Sequence, residues 1–216
     1  MIFSQKHKYI FVHIPKTAGT SVSRLLRPSA TQGNQFDINY LKLLCKHEGV
    51  SYVRPTNSVF IKTGPNHISA GELKAVLGQN YDNYFKFSFV RNPWDWKLSN
   101  YKYVLKCHGH RAHKLYASYK NFRNYIIATP HRPRQQSDYI YSTDDKPLVD
   151  YVGRFEQLQK DFDTVCDEIG IPQQQLPHKN ATKHKHYTEF YDEETREIVA
   201  EQYARDIELF GYEFGK

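Results

Sequence analysis

Compact aromatic and aliphatic runs alternate along this chain with stretches whose apolar residues recur at helical spacing. Residues 9–14, Tyr-Ile-Phe-Val-His-Ile, are short and largely apolar, which predicts a buried strand. Val22, Leu25 and Leu26 then keep helical spacing across residues 21–26, so the first unit reads strand, tight turn, helix. Residues 59–62 predict a second strand. Ser69-Ala70-Gly71-Glu72 has the Ser-x-x-Glu form of a capping box, and Leu73, Val76 and Leu77 give the helix after it an apolar face. Gly78 is a plausible stop. Residues 84–90, Tyr-Phe-Lys-Phe-Ser-Phe-Val, form the clearest strand of the chain. Asn92 suits an N-cap and Pro93 a first helical position, which predicts a helix over 93–105. Phe155, Leu158, Phe162, Val165 and Ile169 keep helical spacing up to Gly170. A last helix is expected over 193–210, ended by Gly211. Residues 27–57 and 106–134 show no clear period.

Strands that alternate with helices imply an α/β fold with a central parallel sheet flanked by helices. The length of 216 residues fits one domain over 1–216 better than two. In such folds ligands bind at the carboxyl ends of strands, which selects the turns after Ile14 and after Val90.

Composition narrows the chemistry. The formal net charge is +7, so the surface favours anions without choosing among them. Three cysteines, Cys45, Cys107 and Cys166, are isolated in sequence and exclude a disulfide framework or a zinc ribbon. The first residues contain no apolar signal core, and no apolar run approaches the ~20 residues that a membrane span needs. The chain reads as soluble and cytoplasmic.

The turn Pro15-Lys16-Thr17-Ala18-Gly19-Thr20-Ser21 joins a strand to a helix. A helix N-terminus presents backbone N–H groups and a positive dipole end to an anion. Ala18 and Gly19 allow close approach, Thr17, Thr20 and Ser21 add hydroxyls, and Lys16 adds a full charge. The order is not that of a Walker A loop, because Lys16 precedes Gly19, and nothing here is placed to hold Mg²⁺. The bland alternative is an ordinary strand–helix turn with a solvated lysine. In the second turn, Arg91 ends the aromatic strand and Ser99 follows two helical turns later on the same face. Two phosphate sites on adjacent turns fit a nucleotide phosphorylated at both 5′ and 3′ positions. Alone, the same residues also fit a surface arginine beside a capped helix.

Taken together, His13-Ile14-Pro15-Lys16-Thr17-Ala18-Gly19-Thr20-Ser21 and Arg91-Asn92-Pro93-Trp94-Asp95 with Ser99 resemble the two nucleotide motifs of the sulfotransferases. The similarity is to the carbohydrate-type branch, which includes the heparan sulfate 2-O-sulfotransferases. Val152-Gly153-Arg154-Phe155-Glu156-Gln157-Leu158 and Asp206-Ile207-Glu208-Leu209-Phe210-Gly211-Tyr212 resemble further phrases of that branch, extending the likeness over residues 9–214. Trp96 departs from the pattern, which often has Arg there.

The resemblance implies 3′-phosphoadenosine-5′-phosphosulfate (PAPS) as sulfuryl donor and a hydroxyl acceptor on a carbohydrate. It implies that Lys16 faces the bridging oxygen, that residues 17–21 hold the 5′-phosphate, and that Arg91 and Ser99 hold the 3′-phosphate. Thr182 and Lys183 lie where the branch closes a loop over the nucleotide. His67, just before the Ser69 cap, is the candidate general base, since imidazole titrates near neutrality. Glu72 competes, but its capping position already gives it a structural task. His108, His110 and His113, and separately His178, His184 and His186, match no standard zinc spacing, and no metal is expected. Residues 106–134 have the composition of an acidic-acceptor groove, as ordinary basic loops also do. The rival readings are a kinase using ATP and Mg²⁺ and a non-enzymatic polyanion or nucleic-acid binder.

Overall fold

The structure is a computed structural model that describes residues 1–29, 67–129, 133–177 and 185–216. The strand expected at 59–62 lies outside the described residues, as do Cys45, His178, Thr182, Lys183 and His184. The chain divides into two compact units, Met1–Val90 with Asp138–Lys179, and Arg91–Ser137 with Asn180–Lys216.

The first unit carries a four-stranded sheet in the order β1 (Ile2–Ser4), β2 (Tyr9–Phe11), β3 (Phe85–Val90), β4 (Tyr151–Arg154). β1 is antiparallel to β2, and β2, β3 and β4 run parallel, with Phe11 beside Phe87 and Phe89 beside Gly153. The parallel centre matches the α/β expectation. The antiparallel β1 and the short β4 escape a pattern search because three or four residues show no usable alternation. Tyr9, Phe11, Phe87 and Phe89 face one side and pack against Val22 and Leu26 of α1 (Gly19–Leu26). Phe162, Val165 and Cys166, from the helix Leu158–Glu168, complete that core. The residues of opposite parity, Ile10, Val12 and Ser88, are buried too, so both faces of the sheet are covered. Gly153 has a packing reason: a Cβ there would stand 2.5 Å from the Phe89 ring. The helix α2 (Ala70–Leu77) begins with the expected capping box, Ser69 accepting from the Glu72 N–H while the Glu72 carboxylate accepts from the Ser69 N–H.

The second unit is helical. The helix α3 (Pro93–Lys106) starts where Asn92 accepts from the Trp94 N–H and Pro93 occupies the first turn. Residues 106–134, without a legible period, contain the short helices α4 (His113–Ser118) and α5 (Phe122–Ala128). The single helix expected over 193–210 is two, α6 (Glu193–Gln202) and α7 (Ala204–Phe210), because Tyr203 leaves helical geometry at φ −118°. Apolar spacing survives such a break, so the sequence pattern did not reveal it. Tyr101, Tyr116, Phe122 and Tyr125 form an aromatic cluster with centroid separations of 4.7–6.1 Å. Lys97 is buried beside them, its Nζ donating to Gln202 Oε1 at 2.9 Å and lying over the Tyr125 and Tyr203 rings. Burial lowers its pKa to about 8. No helix among the described residues is long and apolar enough to cross a membrane.

Candidate functional site

β2 and β3 are parallel neighbours, so the chain leaves both at the same edge of the sheet. The turn after β2 departs from ordinary strand–helix geometry. Lys16 and Ala18 both have left-handed backbones, at φ 66° and 62°. A side chain in that region costs of order 1 kcal/mol, and such strain gathers at ligand sites. Ala18 is the residue before α1, and its side chain provides no cap. A left-handed residue followed by a right-handed helix directs successive N–H groups into one concavity, which suits an anion. Thr17 is fully buried, and its hydroxyl donates to the Ile14 carbonyl at 2.9 Å, tying the turn closed. The Thr17 hydroxyl is thus turned inward, whereas Thr20 is exposed and Ser21 half-buried.

Two histidines border this turn. The His67 ring lies 4.7 Å from the His13 ring, and His67 Nδ1 is 3.2 Å from the His13 carbonyl oxygen. A carbonyl only accepts, so Nδ1 donates and the neutral ring keeps its basic lone pair on Nε2. The other face of the contact is Gly19. A Cβ on Gly19 would stand 1.8 Å from His13 Nε2, so the first residue of α1 must be glycine for the imidazole to fit. Burial lowers the His13 pKa well below the ordinary value, with His67 adding to the effect. The sequence assigned His13 no separate role, and no local signal exposes its pairing with a residue so distant in the chain.

In the second unit, Arg91 is held as a fork. Its Nε donates to Asp95 Oδ2 at 2.7 Å, its Nη2 lies 2.7 Å from the same oxygen, and its Nη1 donates to Ser99 Oγ at 3.1 Å. The expected meeting of Arg91 and Ser99 is present. Asp95 is the orienting partner that sequence reasoning overlooked, although its i,i+4 spacing from Arg91 was a usable signal. The backbone of Arg91 is fixed as well: Gln136 Oε1 accepts from its N–H and Gln136 Nε2 donates to its carbonyl, both at 2.8 Å. Buried Asp206 in turn accepts from the Gln136 and Ser137 N–H groups at 2.8 Å. This network gives Asp206, in the carboxy-terminal phrase, a reason to be acidic. Trp94 and Trp96 pack, the first donating to the Arg196 carbonyl and the second meeting the Tyr203 ring edge-on.

His108 and His113 stand 4.7 Å apart by ring centroids, but His113 Nδ1 faces the Val104 carbonyl at 3.1 Å, and His110 Nδ1 accepts from the Ala112 N–H. Among the described residues no group of three or more His, Cys, Asp or Glu is arranged to hold a metal.

An uncapped, strained turn bearing a lysine, a histidine with a defined tautomer and a pre-oriented arginine fork are parts suited to anionic group transfer. Known proteins agree in kind. A sequence model of the sulfotransferase family matches residues 1–213. A protein of Archaeoglobus fulgidus described as uncharacterized is 30% identical over 96 residues, which is 44% of this chain and 74% of that protein. No solved structure matches the chain. Because the family match runs through both turns and on through the carboxy-terminal helices, the chain belongs to the sulfotransferase family.

Proposed function

We propose that the chain, acting as one sulfotransferase domain over 1–216, moves the sulfuryl group of PAPS to an acceptor hydroxyl on a carbohydrate, as in the branch its motifs resemble. The observation that carries this reading is the turn after β2, where a lysine and an uncapped helix start form an anion cradle without a Walker A order. The 5′-phosphate rests on the N–H groups of residues 17–20 with the Thr20 and Ser21 hydroxyls. The 3′-phosphate takes the Arg91 guanidinium with Ser99. Thr182 and Lys183 are further nucleotide contacts.

Transfer is an in-line displacement in which positioning and electrostatics supply most of the acceleration. The acceptor oxygen forms a bond to sulfur as the bond from sulfur to the bridging phosphate oxygen breaks. His67 Nε2 takes the acceptor's proton, and Lys16 neutralises the charge that grows on the bridging oxygen. Glu72 is the weaker candidate for the base, since its carboxylate accepts from both the N–H and the hydroxyl of Ser69. The chain's charge distribution supports an anionic acceptor. Between Asp95 and Asp138 there is no acidic residue, while Lys106, Arg111, Lys114 and Lys120 are exposed there.

The test uses two measurements. Adenosine 3′,5′-bisphosphate without Mg²⁺ is expected to raise Tm, and ³⁵S from labelled PAPS is expected to pass to a member of a polysaccharide, glycolipid and metabolite panel. Stabilisation by ATP with Mg²⁺ alone would mark a kinase. Steeply salt-dependent polyanion binding without turnover would mark a binding protein.

A further inference from the structure

We propose that His13 is a positioning residue that couples the phosphosulfate turn to the base, its carbonyl fixing the His67 tautomer and its ring, wedged between Gly19 and His67, fixing the ring's place. The inference rests on the assignment of His67 as base. Four contacts of the His13 residue carry it. The carbonyl receives the Nδ1 proton of His67 at 3.2 Å. The ring stacks on Phe11 from below, at 5.8 Å and 25°, and lies 4.7 Å from the His67 ring. The ring's Nε2 edge occupies the space where any residue larger than glycine at position 19 would place its Cβ. The imidazole is thus confined on three sides by the strand, by the first residue of α1 and by the base.

That arrangement has a chemical use. Gly19 belongs to the turn that cradles the 5′-phosphate, so the ring that touches Gly19 also touches the base. A shift of the turn moves both together, which keeps the proton acceptor in register with the sulfur being transferred. A misplacement of about 1 Å in such a register costs on the order of 10²-fold in rate. His13 is also suited to sit beside a base that becomes charged. Burial holds it neutral, so His67 gains its proton without facing a second imidazolium at the same distance. A protonatable neighbour would oppose the proton transfer.

The test compares the full-length wild type with His13→Ala. Ring nitrogens are observed by NMR on ¹⁵N-histidine-labelled protein, and kcat, KM for PAPS and affinity for adenosine 3′,5′-bisphosphate are measured beside it. In the wild type His67 is expected as a single Nδ1–H tautomer. His13→Ala keeps the backbone carbonyl, so the Nδ1–H tautomer is expected to persist there, with kcat lowered about tenfold or more while bisphosphate affinity is retained. His13→Gln, which restores a planar polar group of similar reach, is expected to recover part of kcat. If His13→Ala does not fold, His13→Gln carries the same comparison against wild type. A kcat of His13→Ala within a factor of about two of wild type, or an Nε2–H tautomer of His67 in the wild type, overturns the proposal. The two readings fail separately. Wild-type turnover by His67→Ala removes the base assignment, whereas the wild-type His67 tautomer decides the carbonyl contact whatever the base proves to be.

Discussion

The turns after β2 and after β3 each start a helix, and they are built in opposite ways. The first relies on backbone. Lys16 and Ala18 are left-handed, no side chain caps α1, and Gly19 is required by an adjacent ring. The second relies on side chains in relaxed geometry. Asn92 caps, Pro93 fills the first turn, and Asp95 and Ser99 aim the Arg91 guanidinium. Left-handed backbone in the first directs N–H groups toward one concavity at a cost in folding energy. The second has a side-chain cap and a guanidinium held rigid by Asp95 and Ser99. In the proposed reading, the first turn holds the phosphosulfate by many short N–H contacts and the second reads a remote phosphate by a single well-aimed fork.

The largest effect should come from removing the chemistry on the first side. His67→Ala is expected to lower kcat by about 10²–10⁴-fold and Lys16→Ala by about 10²–10³-fold. Adenosine 3′,5′-bisphosphate should still raise the Tm of the former. Equal turnover by both variants and wild type would sink the reading of that turn as catalytic.

On the second side the unusual burden lies in Lys97. Its pKa is about 8 when folded against an ordinary 10.5, so the folded state binds fewer protons between those values and gains stability as pH rises through them. Below pH 8 the full penalty is present. Lys97→Met should therefore be more stable than wild type by roughly 1–3 kcal/mol near neutrality, the advantage fading toward pH 10.5. A constant difference across that range, measured by denaturant unfolding, would remove the buried-cation explanation.

Gly19→Ala separates backbone from packing. Alanine ordinarily favours a helix over glycine by about 1 kcal/mol. Here its Cβ meets His13, and overpacking costs typically about 1–3 kcal/mol, so a net loss of Tm and of bisphosphate binding is expected. Arg91→Lys leaves the charge but removes the fork. The preference for adenosine 3′,5′-bisphosphate over AMP should fall about tenfold by calorimetry, with Tm little changed. Asn92→Ala removes the cap and the Nδ2 donations to the Glu213 and Lys216 carbonyls, and should cost about 1–3 kcal/mol of stability without altering kcat. A loss of turnover there would show that the second turn also controls the chemistry.

Both turns could be read from sequence because their signals are local. Ser69 and Glu72, Asn92 and Pro93, and Gly78 and Gly211 each act through neighbours within one or two helical turns, and their caps are found where the pattern places them. Arg91 and Ser99 meet for the same reason. What escaped notice acts across distance or is too short to carry a period. β1 finds its partner only in the antiparallel register of Ile2 with Phe11, and β4 only beside β3. The break at Tyr203 leaves the apolar spacing intact.

The amino-acid order by itself determined the family, the positions of the two strand-end turns and the class of reaction, because those depend on contiguous residues whose hydrogen bonds close locally. Tertiary structure alone decided how the groups inside those turns are tuned. Folding placed the His13 carbonyl under His67 and the His13 ring against Gly19, and it brought Gln136 and Asp206 to the backbone of Arg91. The physical reason is that a tautomer, a proton affinity and a side-chain direction are set by whatever atoms lie within about 3–4 Å in space, and chain separation does not encode that distance.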